Sequence, residues 1–170
     1  KSALNHLILG CLSVALAGVV GPVARAQEVV PIQSMEDLGK YISKSTGGAA
    51  TGCSVRLGEL MIETTADRLI GLLTFLRDDP RCLFKQMMDI CGVDYPEREK
   101  RFDVVYNLLS VSLNQRLRVV VTTDEATPVP SVHTVWPAAT WWEREAWDLF
   151  GIVFSGQPDL RRIEDALATR

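Results

Sequence analysis

Histidine is nearly absent from this 170-residue chain, which has only His6 and His133. General acid–base chemistry by histidine therefore has almost no candidate side chain. The four cysteines, Cys11, Cys53, Cys82 and Cys91, never stand in a C-x2-C pair. Without that spacing, a structural zinc or an iron–sulfur cluster held by this chain alone is disfavoured. Cys82 and Cys91 sit in apolar sequence and read as small hydrophobes. A phosphate-cradling loop is missing too, because Gly47, Gly48 and Gly52 do not follow a strand. Excess positive charge is lacking, with a formal net charge of -3. Nucleic-acid binding would rest on the single basic pair Arg161-Arg162, whose ordinary reading is two solvated or ion-paired arginines. The long apolar run, residues 7–20, is too short for an ordinary membrane span.

What is present reads as four segments. Residues 1–27 read as a signal-like or disordered segment: the apolar run follows Lys1 and ends near Ala24-Arg25-Ala26, the pattern of a secretory signal. Residues 28–52 hold a short amphipathic helix and a glycine-rich linker. Ser34 is placed to cap the helix, with Asp37 three residues on, and Leu38, Tyr41 and Ile42 share a face. Residues 53–154 form the body, and residues 155–170 a truncated C-terminal extension.

Within the body, Val55 and Leu57 are out of phase with Leu60 and Ile62. A shift at Gly58-Glu59 predicts two short strands around a turn, or one bulged strand. Leu69, Ile70, Leu72, Leu73 and Leu76 recur at helical spacing, with Thr65 placed as a cap and Asp78-Asp79-Pro80 as a stop. A strand is expected over 84–93. Strict alternation over 102–109 and 117–122 predicts a hairpin with Phe102, Val104, Tyr106 and Leu108 facing a core. Ser131 is placed to cap a short helix, and a second helix follows over 138–150 with Gly151 just past its end. This order predicts an α+β, two-layer fold: a mostly antiparallel sheet, helices on one face, and an extended C-terminal segment.

Residues 141–163 read WWEREAWDLFGIVFSGQPDLRRI and concentrate aromatics with charge. On a helix, Trp142, Ala146, Leu149 and Phe150 form one apolar stripe. Arg144 and Asp148 stand at i,i+4, and Glu143 and Trp147 share a different surface. Glu143, Glu145 and Asp148 are acid–base candidates, but no nucleophile or nearby histidine completes a site. The stretch therefore reads as structural or as an interface, where aromatics and arginines serve as anchors. Arg161 and Arg162 suit carboxylates, either on a partner or at Glu143 or Asp148.

The segment Trp142–Ile163 resembles the signature of the 30-kDa-type subunit (the C subunit) of the proton-translocating NADH:quinone oxidoreductase, respiratory complex I. Upstream motifs agree in order: 69–80, then Met88-Asp89-Ile90-Cys91-Gly92-Val93-Asp94-Tyr95-Pro96, then Arg101–Ser110, then Asn114–Val119. The resemblance implies a non-catalytic subunit of the hydrophilic arm, supporting electron transfer from NADH to quinone. It implies no cofactor on this chain, with NADH, FMN, iron–sulfur clusters and quinone used elsewhere in the complex. The implied partners are other hydrophilic-arm subunits, chiefly the quinone-site (49-kDa-type) subunit. The implied location is the cytoplasmic side of a bacterial inner membrane, or the mitochondrial matrix side, as a peripheral subunit. The signal-like segment conflicts with that location.

The signature residues carried over are Glu143, Arg144, Glu145, Trp147, Asp148, Phe150, Gly151, Phe154, Gly156, Pro158, Asp159, Leu160, Arg161 and Arg162. Two departures stand out. Gln157 occupies a place where the family usually has histidine, and the family's long basic tail is not seen after Ile163. Alternative readings are the equivalent subunit of a related membrane-bound hydrogenase, or an exported, free-standing α+β binding protein.

Overall fold

The computed structural model describes Ile32 and residues 34–168. The signal-like segment over 1–27, with His6 and Cys11, lies outside the described residues. Helix α1 spans Met35–Ser45. The Ser34 hydroxyl accepts from the Asp37 amide at 3.1 Å, satisfying one of the orphan donors of the first turn. Glu36 and Asp37 at the start and Lys44 at the end complement the helix dipole.

Two strands follow, β1 (Gly52–Arg56) and β2 (Glu59–Thr64), so the phase shift marks a hairpin turn. Leu57 and Gly58 form that turn, both with positive φ, 52° and 80°. A 3-10 turn over Ala66–Arg68 leads into α2 (Leu69–Asp78), which buries Leu69, Leu72, Leu73 and Leu76. Thr65 makes no capping hydrogen bond through its side chain.

Strands β3 (Gln86–Asp94), β4 (Phe102–Ser110) and β5 (Gln115–Thr123) form an antiparallel meander. The five strands lie in the order β1-β2-β5-β4-β3. Every neighbouring pair is antiparallel except β2 and β5, which run parallel with Leu60 beside Leu117 and Ile62 beside Val119. One face presents Leu60, Ile62, Val104, Tyr106, Leu108, Leu117, Val119 and Val121, all essentially sealed. Helix α1 covers this face at the β1–β2 side. The helix α3 (Ala139–Phe150) covers it at β3.

A Cβ on Gly92 would lie 2.7 Å from the Phe150 ring, so the bare backbone of β3 is what lets α3 settle there. The opposite face carries Asp103, Asn107, Arg118 and Thr122, tied among themselves and to neighbours. Thr122 donates to Asp103 at 2.8 Å, and Arg118 meets Glu59 at 2.7 Å. This is the two-layer α+β arrangement expected.

Three local expectations are corrected. Residues after Ser131 form turns, not a helix; Ser131 spends its hydroxyl on α3 instead. The flanking strands β6 (Val129–Pro130) and β7 (Phe154–Ser155) pair in parallel as a small second sheet. Cys91 is exposed, because its strand position points it away from the core. The segment beyond β7 is extended only to Arg162, and Ile163–Ala168 then forms α4.

Candidate functional site

The aromatic and charged stretch folds as α3, the turn at Gly151, β7 and the arm leading to α4. Gly151 takes φ 75°, the left-handed turn that ends α3, and its amide donates to the Trp147 carbonyl at 2.8 Å. The side of α3 that faces inward differs from the expected stripe. Ala139, Glu143, Arg144 and Ala146 are buried, while Leu149 is 68% exposed. Trp142, Trp147 and Phe150 are half-buried against the core. Trp147 therefore joins the core packing instead of standing out on a separate charged surface.

Glu143 is sealed from solvent. It accepts from the Ser131 hydroxyl at 2.6 Å and from the Val132 amide at 2.7 Å. Ser131 Oγ also lies 3.0 Å from His133 Nδ1. Burial pushes the Glu143 carboxyl above its ordinary value, against the opposing pull of these hydrogen bonds and of His133. Burial likewise raises the Tyr106 phenol well above its ordinary value, with the Glu143 carboxylate adding to the effect. In a hydrolytic triad the imidazole stands between hydroxyl and carboxylate. Here the buried hydroxyl stands in the middle and donates a hydrogen bond to the carboxylate, so the group works as a tether from α3 to the 131–132 loop.

Arg144 is the second buried charge, with 5% of its surface exposed. It does not pair with Asp148. Its guanidinium donates to the Asp159 carbonyl at 2.9 Å and carboxylate at 3.0 Å, and lies 4.8 Å from the Trp141 ring. Arg161 reaches the same carboxylate at 2.9 Å. Asp148 instead meets Arg162 at 3.3 Å and accepts from the Ile163 amide at 3.3 Å. Gln157 donates to the Thr140 carbonyl at 3.1 Å and accepts from the Asp159 amide. Together these bonds clasp the arm onto α3.

The remaining signature residues have other settings. Glu145 borders a cleft between α3 and β3 with Cys91 and Phe150. Phe154 is buried in β7, and Gly156 turns with φ 79°. Pro158 is exposed and Leu160 half-buried on the arm. Ser131, Val132 and Tyr106 were missed as members of this cluster. A capping serine ahead of a proline-broken stretch was the only signal available for them. Among the described residues, no three His, Cys, Asp or Glu side chains converge as a metal-ligand set. A groove of about 740 Å³ opens between α1 and β1, lined in part by Glu36, Lys40, Lys44 and Cys53, and it lies apart from α3.

The fold and the clasp define an α+β domain in which a group of charges ties helix α3 to the arm that follows. That class has a known representative in sequence. The chain belongs to the family of the respiratory-chain NADH dehydrogenase 30 kDa subunit, whose pattern matches residues 62–165. The NADH-quinone oxidoreductase C subunit of Sinorhizobium medicae is 55% identical over 131 residues, covering 77% of this chain and 65% of that protein. The corresponding protein of Methylobacterium sp. is 54% identical over 130 residues, covering 76% and 60%. The chain thus spans about two thirds or less of the length of these relatives. Among solved structures, a chain of the membrane-bound sulfane sulfur reductase, an archaeal respiratory membrane complex, superposes with a TM-score of 0.61. It is 29% identical and is covered over 70% of its length, against 71% of this chain.

Proposed function

We propose that this chain is a non-catalytic structural subunit of the hydrophilic arm of respiratory NADH:quinone oxidoreductase. The observation that carries the reading is the 55% identity to an NADH-quinone oxidoreductase C subunit over 131 residues, beside a family match over 62–165 that takes in α3 and the arm. In this reading the chain docks beside the quinone-site (49-kDa-type) subunit and holds the arm rigid. Electrons pass through cofactors of other subunits: NADH, FMN, iron–sulfur clusters and quinone. The chain binds none of these itself. It sits peripherally on the cytoplasmic face of a bacterial inner membrane or the matrix face of a mitochondrial one. No helix among the described residues is long and apolar enough to cross a membrane.

The clasp supports this role physically. An arm that is to meet a neighbour binds more tightly if its conformation is set beforehand. Arg144 and the Thr140 carbonyl hold it from the body side, leaving the exposed Pro158 and half-buried Leu160 to meet a partner. The likeness to a different respiratory membrane complex favours a second reading, an equivalent subunit of a related complex with another electron donor. Its 29% identity is well below the 55% to the NADH-quinone oxidoreductase relative.

The test is affinity purification of the tagged chain from membranes holding candidate complex I subunits, with mass spectrometry of all retained proteins. Recovery of the quinone-site and iron–sulfur subunits is the expected result. Recovery of the chain alone would refute the reading, and recovery of hydrogenase subunits would favour the second.

A further inference from the structure

The far end of the sheet holds a second feature, unrelated to α3. Because β2 and β5 run parallel, both begin at the same end. The β1–β2 turn and the β4–β5 turn therefore project side by side. Leu57 at the first tip is fully exposed, and Val111 at the second is 68% exposed. Met88 is 46% exposed at the bulge near the start of β3.

Leu57 is an unexpected residue for its place. The turn needs positive φ at both central residues, which asparagine and glycine adopt at little cost and leucine, as also at Leu83, only with strain. Leucine there strains the backbone while presenting its whole side chain to water. Neither effect stabilises the isolated chain.

The charge around the tips is also distinctive. Across the outer face at this end, Arg56 pairs in register with Glu59, and Arg116 with Leu109. Arg118 stands one row further in, beside Met61 and Asn107. Glu59 is taken up by Arg118 at 2.7 Å. Arg56 and Arg116 make no ion pair among the described residues. Between these rows lies a cavity of about 220 Å³ bordered by Glu59, Met88, Asn107, Arg116 and Arg118.

We propose that the two turn tips form a second docking surface, whose occupant is a neighbouring protein subunit presenting an apolar socket for Leu57 rimmed by carboxylates for Arg56 and Arg116. This rests on the subunit role argued above and adds a contact to it, away from α3 and the arm. Arginine is enriched at protein interfaces and forks onto carboxylates, and a desolvated contact ringed by a polar rim is their usual arrangement. An acidic rim complements the local positive charge, although the chain as a whole carries -3.

The test uses the tagged full chain in the same membranes, as wild type, Leu57→Asn and Arg116→Glu. Leu57→Asn should raise the melting temperature of the isolated chain, since asparagine accepts the turn. The same substitution should lower partner recovery by about tenfold, as loss of an interface anchor does. Arg116→Glu should lower recovery similarly with little change in melting temperature. A photo-crosslinker at Val111 should capture a partner peptide rich in Asp and Glu. Equal recovery of all three forms, with wild type bound, would overturn this surface while leaving the subunit role standing. Failure of the wild type to bind any partner would overturn the role and this inference with it. Retention of the isolated wild type by anionic phosphatidylglycerol vesicles, lost in both variants, would overturn the protein socket in favour of a lipid surface.

Discussion

Glu143 shows how one side chain decides a local structure. Its carboxylate replaces the water that the Ser131 hydroxyl and Val132 amide would otherwise need. Replacing it with alanine strands both donors in a sealed place and should cost about 3 kcal/mol in urea unfolding. The pH dependence has a definite sign. The carboxyl is raised in the folded state, so the folded chain keeps this proton where the unfolded chain has already released it. Stability from the group is full below the ordinary glutamate value and is lost as pH rises through the raised one. Relative to Glu143→Gln, the wild type should therefore lose stability as pH rises from the ordinary glutamate value, about 4.3, through the raised one. A constant difference across that range would rule out the linkage. The comparison also cancels Asp78, whose carboxyl is held down to about 2 by Arg77 in both forms.

At the scale of elements, the accuracy of the sequence reading followed the locality of the forces. The β4–β5 hairpin was legible almost to the residue, because alternating Phe102, Val104, Tyr106 and Leu108 report burial on one face directly. The extent of α3 and its end at Gly151 were legible for the same local reason. Its orientation was not. Glu143 and Arg144 look like surface residues, yet both are buried, and Leu149 looks like core, yet it is exposed. The partners that permit this, Ser131 and Asp159, lie 12 and 15 residues away, where no periodicity reaches. The sequence leaves a partner surface, Glu143 and Asp148 all open to Arg161 and Arg162; the structure pairs Arg162 with Asp148 and Arg161 with Asp159.

The clasp has its own observable. Arg144→Met keeps the aliphatic stem and removes the guanidinium, leaving Asp159 half-exposed and still near Arg161. The loss should be modest, about 1–2 kcal/mol, since one partner can rehydrate. Amide exchange over 157–166 should accelerate by about tenfold while β4 and β5 remain protected. Uniform acceleration across the molecule would mean that the clasp is part of the global fold instead of a local latch.

At the scale of the whole molecule, the parallel pairing of β2 with β5 was invisible in the sequence, since it joins strands more than fifty residues apart. It has a consequence for how the molecule can come apart. Everything up to α2 is one contiguous stretch of chain, and the meander with α3 is another. The two stretches are stitched in the sheet along a single line, Leu60–Thr64 against Leu117–Val121. Between them the backbone crosses once, at the exposed Pro80-Arg81. A cut there leaves two polypeptides, 1–80 and 81–170, each with a bare strand and half an oily face. Neither should show a cooperative melt alone, whereas mixing them should restore one, read by circular dichroism. The molecule is in this sense a two-part mould, whose seam runs down the middle of the sheet and whose hinge is a proline.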